Sequence, residues 1–518
     1  MTTEFFEKYK HKIKTVDELL AIIGHFPRER KTIMCHGVFD VVHPGHVRHL
    51  AYAKSKADIL VASITADRHI EKGIYRPHVP ERLRALNLAA FEMIDYVIID
   101  EEATPLRNLQ RIQPDYFAKG FEYTSSGLPP NTQEEADVVN AYGGEMIFTP
   151  GDVVYSSSRF INLAPPKIQI EKLLSLMDSE GLSFDDLRRA VSTLGGYRVH
   201  VVGDTIVDSF TRTHVIGGQT KTPTISVQFQ RQENFIGGAG IVSQHLRAAG
   251  AEVVFSTVLG NDPLKDFVLR GLKKTGVHCR PQVDATRPTV QKNVIIADGY
   301  RLLKIDTLDN RSISGPILER LVEEIRTTPV DAVVFSDFRH GIFNRITVPL
   351  LTEAIPVNAF RVADSQVASR WGNITEFKDF DLITPNEREA RFALADQDST
   401  VGRLSDALEK ETRCRMMILK LGERGVFAVP SEKRRCASGA FSIDSFTSQV
   451  VDAVGAGDAL LAYATLAMLA HHSEVVATIL GSMAAACECE RDGNISIRPA
   501  DVLAKVDIVE KMACYNRG

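Results

Sequence analysis

At 518 residues the chain exceeds one ordinary hydrophobic core, so we expect two or three domains. Its hydrophobic fraction of 44% and charged fraction of 25% are typical of a globular protein in water. The net charge of −5 argues against a general nucleic-acid binder, which would show a basic domain. The charged N-terminus lacks the apolar segment of a signal peptide, and no apolar run is long enough to predict a membrane span.

The seven cysteines are scattered without paired spacing, which favours reduced thiols and a cytoplasmic protein. Cys487 and Cys489 lie in an apolar, helical pattern where alternate positions do not face each other. We interpret them as core residues and predict no directly coordinated metal.

The first third of the chain alternates between strand and helix patterns. Thr15 is predicted to cap a short helix, with Glu18 three residues on. Apolar runs follow at residues 32–35, 59–64, 96–99, 116–118 and 146–148, and helical patterns such as 81–90 lie between several of them. This alternation predicts a parallel, doubly wound α/β sheet that binds ligands beyond the carboxyl ends of its strands.

The first strand runs into a tight glycine turn and the segment H-P-G-H, with a helical pattern from residue 47 to 54. His43 and His46 are three residues apart, so on a helix both imidazoles address one point. Pro44 suits a first helical turn, and the N–H groups and dipole there attract phosphate. One histidine capping the helix and one in the core is the alternative; the strand–turn–helix context favours a nucleotide site.

The segment from Gly37 to His46 resembles the G-x-F-D-x-x-H-x-G-H signature of the cytidylyltransferase-like nucleotidyltransferases at every fixed position. The resemblance extends over residues 12–162 and implies that His43 and His46 bind and stabilise an α-phosphate. It implies further nucleotide contacts at Gly37, Phe39, Lys72, Arg82, Lys119, Ser156, Ser157 and Ser158. The chain departs from the family pattern at Cys35-His36, where Thr-Asn is usual, and at Glu122, which replaces an aspartate.

A second α/β series follows the Pro165-Pro166 pair, which marks the predicted linker. Helical residues 168–194 come first. Strands are predicted at 197–202, 253–256, 332–335, 361–363, 382–383 and 416–419, with a hairpin-like excursion between residues 211 and 230. We therefore place one domain at 1–162, a linker with its connecting helix at 163–196, and a second domain at 197–518.

The segment D-A-V-G-A-G-D, residues 452–458, precedes a strongly helical stretch from 459 to 470. Its small residues allow close approach of an anion to the N–H groups of a helix start. Asp458 lies at the same point and could accept a proton from an attacking hydroxyl. An anion hole beside a general base suits phosphoryl transfer to an alcohol.

This signature resembles that of the ribokinase-like, or phosphofructokinase-B-like, sugar kinases, which implies a doubly wound domain with a small β lid and Asp458 as catalytic base. Supporting matches are G-D at 203–204, G-G-A-G at 237–240, S-D at 336–337, Asp364, T-P-N-E-R-E at 384–389 and K-L-G at 420–422. The resemblance implies phosphate or nucleotide contacts at Asn386, Glu389, Lys420, Gly422, Gly455, Ala456 and Gly457, and sugar contacts at Asp204, Asp208, Gly237, Gly238, Lys292 and Asp337. It also implies ATP as substrate, Mg²⁺ held through Asn386, Glu389 and water, and room for a monovalent cation.

Together the halves resemble the bifunctional heptose kinase/adenylyltransferases that make ADP-heptose precursors of lipopolysaccharide, in reversed domain order. The resemblance implies phosphorylation of a heptose 7-phosphate at O1 and adenylyl transfer from ATP to a sugar 1-phosphate. It implies small-molecule partners, no nucleic acid, no membrane and a homo-oligomer.

Two alternatives stay open at this point. One is a sugar- or polyol-phosphate cytidylyltransferase fused to a kinase of different specificity. The other is a ligand-binding protein with a decayed kinase half. Ile241 and Ser482 stand where the kinase family has asparagines and favour the second alternative, whereas the intact 452–458 segment disfavours it.

Overall fold

The computed structural model describes residues 8–70, 76–120, 130–149, 169–216, 225–366, 373–431 and 439–515. The chain divides into two compact units, Met1–Ser175 with Ala513–Gly518, and Leu176–Met512. Within the described ranges, every helix is too short or too polar to cross a membrane.

The first unit is built on a parallel sheet which, in the described residues, has the strand order β3-β2-β1-β4-β5. Its elements are α1 Val16–Ile23, β1 Thr32–Gly37, α2 Pro44–Lys54, β2 Ile59–Thr65, α3 Glu81–Ala89, β3 Tyr96–Asp100, α4 Leu106–Ile112, β4 Tyr116–Gly120, α5 Pro130–Ala141 and β5 Glu145–Thr149. Alternate residues of β1 enter apolar clusters on opposite faces: Ile33 and Cys35 one cluster, Met34 the other. A strand buried on both faces is typical of doubly wound sheets, and the predicted α/β class is confirmed.

The second unit contains a larger sheet with the order β10-β9-β6-β13-β14-β15-β16-β17-β18 among its described strands. It is parallel from β10 to β16 and antiparallel at β17 and β18. Its strands are β6 Arg198–Gly203, β9 Glu252–Leu259, β10 His278–Val283, β13 Ala332–Asp337, β14 Phe360–Ser365, β15 Leu382–Ile383, β16 Met416–Lys420, β17 Val426–Val429 and β18 Phe441–Ile443. The carboxyl ends of its parallel strands point to one edge, where the fold gathers polar side chains.

The helices of this unit cover the larger sheet and alternate with its strands. They are α6 Gln169–Ser179, which crosses from the first unit, α7 Phe184–Ser192, α8 Ala239–Ala248, α9 Pro263–Thr275, α10 Gly315–Thr327, α11 Thr347–Glu353, α12 Glu387–Leu394, α13 Val401–Thr412, α14 Ala456–Leu469, α15 Glu474–Cys489 and α16 Pro499–Tyr515. The central pair, α14 and α15, is buried along nearly its whole length, so small residues dominate both helices.

A smaller sheet, the lid, follows β6 directly and has the order β12-β11-β7-β8. Its strands are β7 Thr205–Val215, β8 Val227–Gly238, β11 Gln291–Ala297 and β12 Tyr300–Thr307. β7 and β8 form the predicted hairpin, and β11 pairs with β7 in parallel. The predicted doubly wound domain with a small β lid is therefore confirmed.

The predicted continuous helix at 168–194 is instead two helices, α6 and α7. Gly181, with φ of +64°, ends the first segment, and Ser183 caps α7 in a reciprocal box with Asp186. The positive φ is one that glycine adopts without steric cost, which explains the break. The linker pair Pro165-Pro166 lies outside the described residues.

Candidate active sites

The histidine pair of the first unit stands where β1 leads into α2. His43 is the N-cap residue of α2, and its Nδ1 accepts the Gly45 N–H at 3.1 Å. The two imidazole rings are 3.9 Å apart between centroids and inclined by 31°. A Cβ on Gly45 would lie 2.8 Å from His43 Cε1, so glycine is needed there. The capping alternative and the functional interpretation are thus compatible: His43 caps the helix and also lies beside His46.

Protonation of this pair follows from its surroundings. Because His43 Nδ1 accepts a hydrogen bond, a neutral His43 carries its proton on Nε2. Burial, and then the neighbouring His43 and His49, lower the pKa of His46 to about 4. His46 is therefore a neutral imidazole at pH 7 until an anion approaches, and its hydrogen bond with the backbone of Val41 opposes this lowering of the pKa.

The turn before the histidines is set by Phe39 and not by Gly37. Phe39 has φ of +49°, in the left-handed region, and its ring centroid lies 5.1 Å from that of His46. Gly37 is the last residue of β1, and a Cβ there would meet the Phe39 ring at 3.3 Å. The glycine makes room for the phenylalanine, which the sequence pattern alone did not distinguish.

Basic groups line the same edge of the first sheet. Arg82 is exposed in the first turn of α3. Arg76 lies with its Nε 3.8 Å from Asp40 Oδ2. Lys119, at the end of β4, is paired with the buried Glu135 at 2.6 Å, and burial raises the pKa of Glu135. The ammonium group that the resemblance assigns to nucleotide binding is thus held by a carboxylate in this structure.

Several predicted contacts of this half cannot be placed. Lys72 and Ser156, Ser157 and Ser158 lie outside the described residues, as does Glu122. Their assignments stay predictions. His36, by contrast, is placed: its Nδ1 lies 2.9 Å from Ser63 Oγ, and burial lowers its pKa to about 3. His36 therefore packs inside the protein at the end of β1.

In the second unit the residues of the predicted anion hole lie at the start of α14. Gly455, with φ of +87°, is the N-cap of α14 and leaves the first N–H groups of the helix without a side-chain cap. Ala456, Gly457 and Asp458 form the first turn of α14. A Cβ on Gly457 would stand 3.1 Å from Lys420 Nζ, so the ammonium group lies beside the helix start. N–H groups, the helix dipole and a lysine together suit a transferring phosphoryl group.

Asp458 is buried, with 6% of its surface exposed, and its Oδ1 finds no hydrogen-bond partner among the described residues. Burial, and then the charge of Asp364, raise the pKa of Asp458 well above its ordinary value, while Lys420 opposes this. Lys420 itself contacts both oxygens of Asp364 at 3.0 Å. A buried carboxylate with a raised pKa and one open oxygen is equipped to take a proton.

Asn386 and Glu389 lie at the N-terminus of α12 and form a capping box. Glu389 accepts the Asn386 N–H at 2.6 Å, and Asn386 Oδ1 accepts the Glu389 N–H at 2.8 Å. The backbone of Asn386 pairs with that of Lys420 in an isolated parallel β-bridge. The charge of Glu389 helps to raise the pKa of Lys420. Gly422, with φ of +63°, follows on the adjacent turn. The predicted nucleotide-side residues are therefore grouped around Lys420.

Asp208 is the carboxylate that the lid presents to this site. It lies on β7 in register with Lys292 on β11, accepts a hydrogen bond from Asn494 Nδ2 at 2.9 Å, and its pKa is raised by burial. A Cβ on Gly237 would lie 2.1 Å from Asp208 Oδ2, and one on Gly238 would clash with backbone. The two glycines are explained by this close packing.

Asp204 and Asp337 are engaged within the protein. Asp204 accepts the N–H groups of Phe338 and His340, each at 3.1 Å. Asp337 is fully buried and contacts Arg339 Nε at 2.9 Å, and burial raises its pKa to about 7. Because strand ends leave buried backbone groups that need partners, these carboxylates hold the loop after β13. We retain Asp208, and not these two, as the sugar-binding candidate.

Three residues near the start of α14 were given no role in the sequence analysis. Asp452 Oδ2, Glu488 Oε2 and Asn494 Oδ1 are buried oxygens for which the described residues supply no hydrogen-bond partner. A Cβ on Gly455 would lie 2.9 Å from Asn494 Oδ1 and 3.0 Å from Glu488 Oε1. Burial raises the pKa of Glu488 to about 8. The sequence signal that could have indicated Glu488 is the presence of a glutamate inside the apolar pattern of α15.

The two departures from the kinase pattern are also buried. Ile241 is fully buried in α8, and Ser482 is 6% exposed in α15. Ile241 contributes an apolar side chain to the core and no polar group to the site. In the described residues, no cluster of three or more His, Cys, Asp or Glu side chains is arranged to hold a metal ion.

A doubly wound sheet with a β lid, an uncapped helix start and a buried aspartate defines a phosphotransferase of the ribokinase type. The pfkB carbohydrate kinase family matches residues 198–501, and the chain belongs to that family. The cytidylyltransferase-like family matches residues 34–163. The kinase therefore follows the nucleotidyltransferase-like half, in agreement with the predicted order.

Curated relatives are similar to parts of the chain. Bifunctional protein HldE of Geobacter metallireducens is 41% identical over 138 residues, 26% of this chain and 27% of that protein. Bifunctional protein HldE of Bradyrhizobium sp. is 26% identical over 333 residues, 62% of this chain and 65% of that protein. The chain thus spans less than two thirds of either relative.

The fold of the second unit is also that of a solved structure. Phosphofructokinase-2 from Escherichia coli in complex with substrates and products matches with a TM-score of 0.51 and 15% identity. The match covers 60% of this chain and 99% of that one.

Proposed function

We propose that the chain synthesises a nucleotide-activated sugar in two separate active sites. The second unit phosphorylates a sugar phosphate with ATP, and the first transfers a nucleotidyl group to a sugar 1-phosphate. The observation that carries this proposal is that each unit places a phosphate-binding helix start at the carboxyl edge of its own sheet: the His43–His46 pair in one, Gly455–Asp458 in the other.

In the first unit, an oxygen of the sugar 1-phosphate attacks the α-phosphorus of ATP. The bond from that phosphorus to the bridging oxygen breaks, and pyrophosphate leaves. The imidazoles of His43 and His46 stabilise the α-phosphate as charge develops on it. Arg82, with Lys72 and Lys119, holds the leaving pyrophosphate.

In the second unit, Asp458 takes the proton of the sugar O1 hydroxyl, which attacks the γ-phosphorus of ATP. The β–γ bridging bond breaks and ADP leaves with its electron pair. The N–H groups from Gly455 to Gly457 and the ammonium of Lys420 stabilise the transferring phosphoryl group. Asp208 and Lys292 hold the sugar, in agreement with their register on neighbouring lid strands.

Two cations fit the second site. Mg²⁺ supplies charge neutralisation for ATP, and the Asn386–Glu389 box beside Lys420 would hold it through water. A monovalent cation would satisfy the buried oxygens of Asp452, Glu488 and Asn494, which otherwise lack partners among the described residues.

The substrate that agrees with the sequence resemblance is D-glycero-D-manno-heptose 7-phosphate, which the kinase converts to the 1,7-bisphosphate by phosphorylation at O1. A separate phosphatase must remove the 7-phosphate before adenylyl transfer to the 1-phosphate gives ADP-heptose. We retain the boundaries 1–162, 163–196 and 197–518 as the proposed domains. A homo-oligomer in the cytoplasm completes the proposal.

The test is mass spectrometry of the products after incubation with ATP, CTP, Mg²⁺ and a panel of hexose and heptose phosphates. We expect a sugar bisphosphate with ADP, and an ADP-sugar when a sugar 1-phosphate is supplied. A CDP-product would replace the adenylyltransferase with a cytidylyltransferase. No consumption of ATP on any sugar phosphate would support a decayed kinase half and contradict the proposal.

A further inference from the structure

Arg84 is a fully buried arginine in α3 that the proposed chemistry does not use. Its guanidinium group donates to three backbone carbonyls: Val79 O from Nε at 2.9 Å, Val38 O from Nη1 at 2.5 Å and Thr65 O from Nη2 at 2.8 Å. Nη2 also contacts Asp67 Oδ1. One side chain therefore joins the segments that follow β1 and β2 to the segment that precedes α3.

The carbonyl of Val38 precedes the strained residue of the histidine turn. Phe39 has the left-handed φ of +49°, which non-glycine residues adopt only when their surroundings enforce it. Its side chain is 5% exposed, and its ring packs 5.1 Å from His46. Holding the Val38 carbonyl thus fixes the direction in which the Phe39 ring meets the imidazole.

A second contact anchors the chain on the other side of Phe39. Asp40 Oδ1 accepts the N–H of Val79 at 2.8 Å, and the carbonyl of Val79 accepts from Arg84. Val38, Phe39 and Asp40 are therefore anchored at both ends to residues that Arg84 contacts. A planar guanidinium with donors in fixed directions can do this, whereas an ammonium group cannot reach three segments.

We propose that Arg84 is a positioning residue of the nucleotidyl-transfer site, which acts by holding the Val38 carbonyl so that Phe39 fixes the His46 imidazole. The inference rests on the proposed function of the first unit. It also assigns Arg84 a role in the folded protein that can be measured without any substrate.

The test compares Arg84→Lys and Arg84→Met with Leu109→Ala. Leu109 is fully buried in the apolar cluster that contains Met34, away from the turn, and its truncation destabilises the same unit. We expect kcat for nucleotidyl transfer to fall about 10- to 100-fold in the Arg84 variants, with KM for ATP changed less than about threefold. Leu109→Ala should retain the wild-type kcat at temperatures where it is folded.

A spectroscopic readout separates positioning from stability. In ¹³C-histidine NMR without substrate, the His46 pKa should rise from about 4 towards the ordinary value in Arg84→Lys and stay low in Leu109→Ala. Arg84→Met combined with Phe39→Leu should cost no more in kcat than Phe39→Leu alone.

A folded Arg84→Lys variant with unchanged kcat and His46 pKa would overturn the inference, as would equal losses in Leu109→Ala. If the wild-type protein releases no pyrophosphate with any triphosphate, the proposed function fails and the His46 pKa alone decides the role of Arg84.

Discussion

The two helix starts solve the same electrostatic problem with different residues. At α2 the side chain of His43 accepts the N–H of Gly45 and its ring lies beside that of His46, so imidazoles occupy part of the helix start. At α14 the N-cap is Gly455, which leaves the helix N–H groups themselves available. A nucleophile that is already an anion needs donors only, and the first site has them. A hydroxyl nucleophile needs a base as well, and the second site adds Asp458.

The substitution Asp458→Asn should distinguish the two sites most strongly. We expect kinase kcat to fall by about 10³-fold or more, because the amide cannot take the hydroxyl proton, while nucleotidyl transfer is unchanged. ADP formation and pyrophosphate release, measured on one preparation, check this. Loss of both activities would mean that the sites are not independent.

His46→Ala should do the reverse at the other helix start. Removing one donor to the α-phosphate is expected to lower nucleotidyl transfer by about 10²- to 10³-fold and to spare the kinase. His49→Ala is the matched control: it is on the same helix and bonds Thr149 at 2.9 Å. Equal losses of nucleotidyl transfer in the two variants would show that the His43–His46 pair has no special role.

Two buried groups, one in each unit, should contribute to stability with opposite dependence on pH. The lowered pKa of His46 means that the unfolded chain binds the extra proton first, so the first unit loses stability as pH falls from 6.5 towards 4. The raised pKa of Glu488 means that the folded chain keeps its proton longer, so the second unit loses stability as pH rises from 4.5 towards 8. Each contribution is at most a few kcal/mol, at about 1.4 kcal/mol per pKa unit.

Hydrogen exchange of peptides from each unit, in buffer without K⁺ or Na⁺, measures this opposition. Glu488→Gln should flatten the dependence of the second unit and leave that of the first unchanged. A second unit whose pH dependence is the same in Glu488→Gln as in the wild type would contradict the assignment of this group.

The smallest expected effect concerns Lys119. Glu135→Gln removes the carboxylate that holds this ammonium group, so triphosphate should bind roughly threefold to tenfold more tightly to the first unit. Glu134→Gln, at the exposed neighbouring position, serves as control and should leave the Kd unchanged. Weaker binding in Glu135→Gln would show that the pair orients Lys119 for its ligand.

The fold was largely predictable because its strands are buried on both faces and read as continuous apolar runs. Glycine-rich segments also placed the helix starts, since close approach to an anion or to Asp208 leaves no room for a Cβ. What was missed depends on contacts distant in sequence. Arg84 meets Val38 across 46 residues, and Asn494 meets Asp208 across 286. A single side chain gives no local sign of such a partner.

The strand-end aspartates show the same limit. Asp204 follows β6 and Asp337 ends β13, whereas Asp208 lies within β7, and of the three only the charge of Asp208 is among the main causes of the raised pKa of Asp458. Which carboxylate holds a loop and which is left for substrate depends on the backbone N–H groups that the fold brings to each.

One measurement with mixed chains tests most directly whether the two units work as separate active sites. An equimolar mixture of Asp458→Asn and His46→Ala chains is incubated with ATP, Mg²⁺, the sugar phosphate and a sugar 1-phosphate, and both products are followed by ³¹P NMR. Two independent sites predict that each reaction proceeds at about half the wild-type rate, since half of the chains retain each site. A mixture that fails in either reaction would contradict the claim that the two units work as separate active sites.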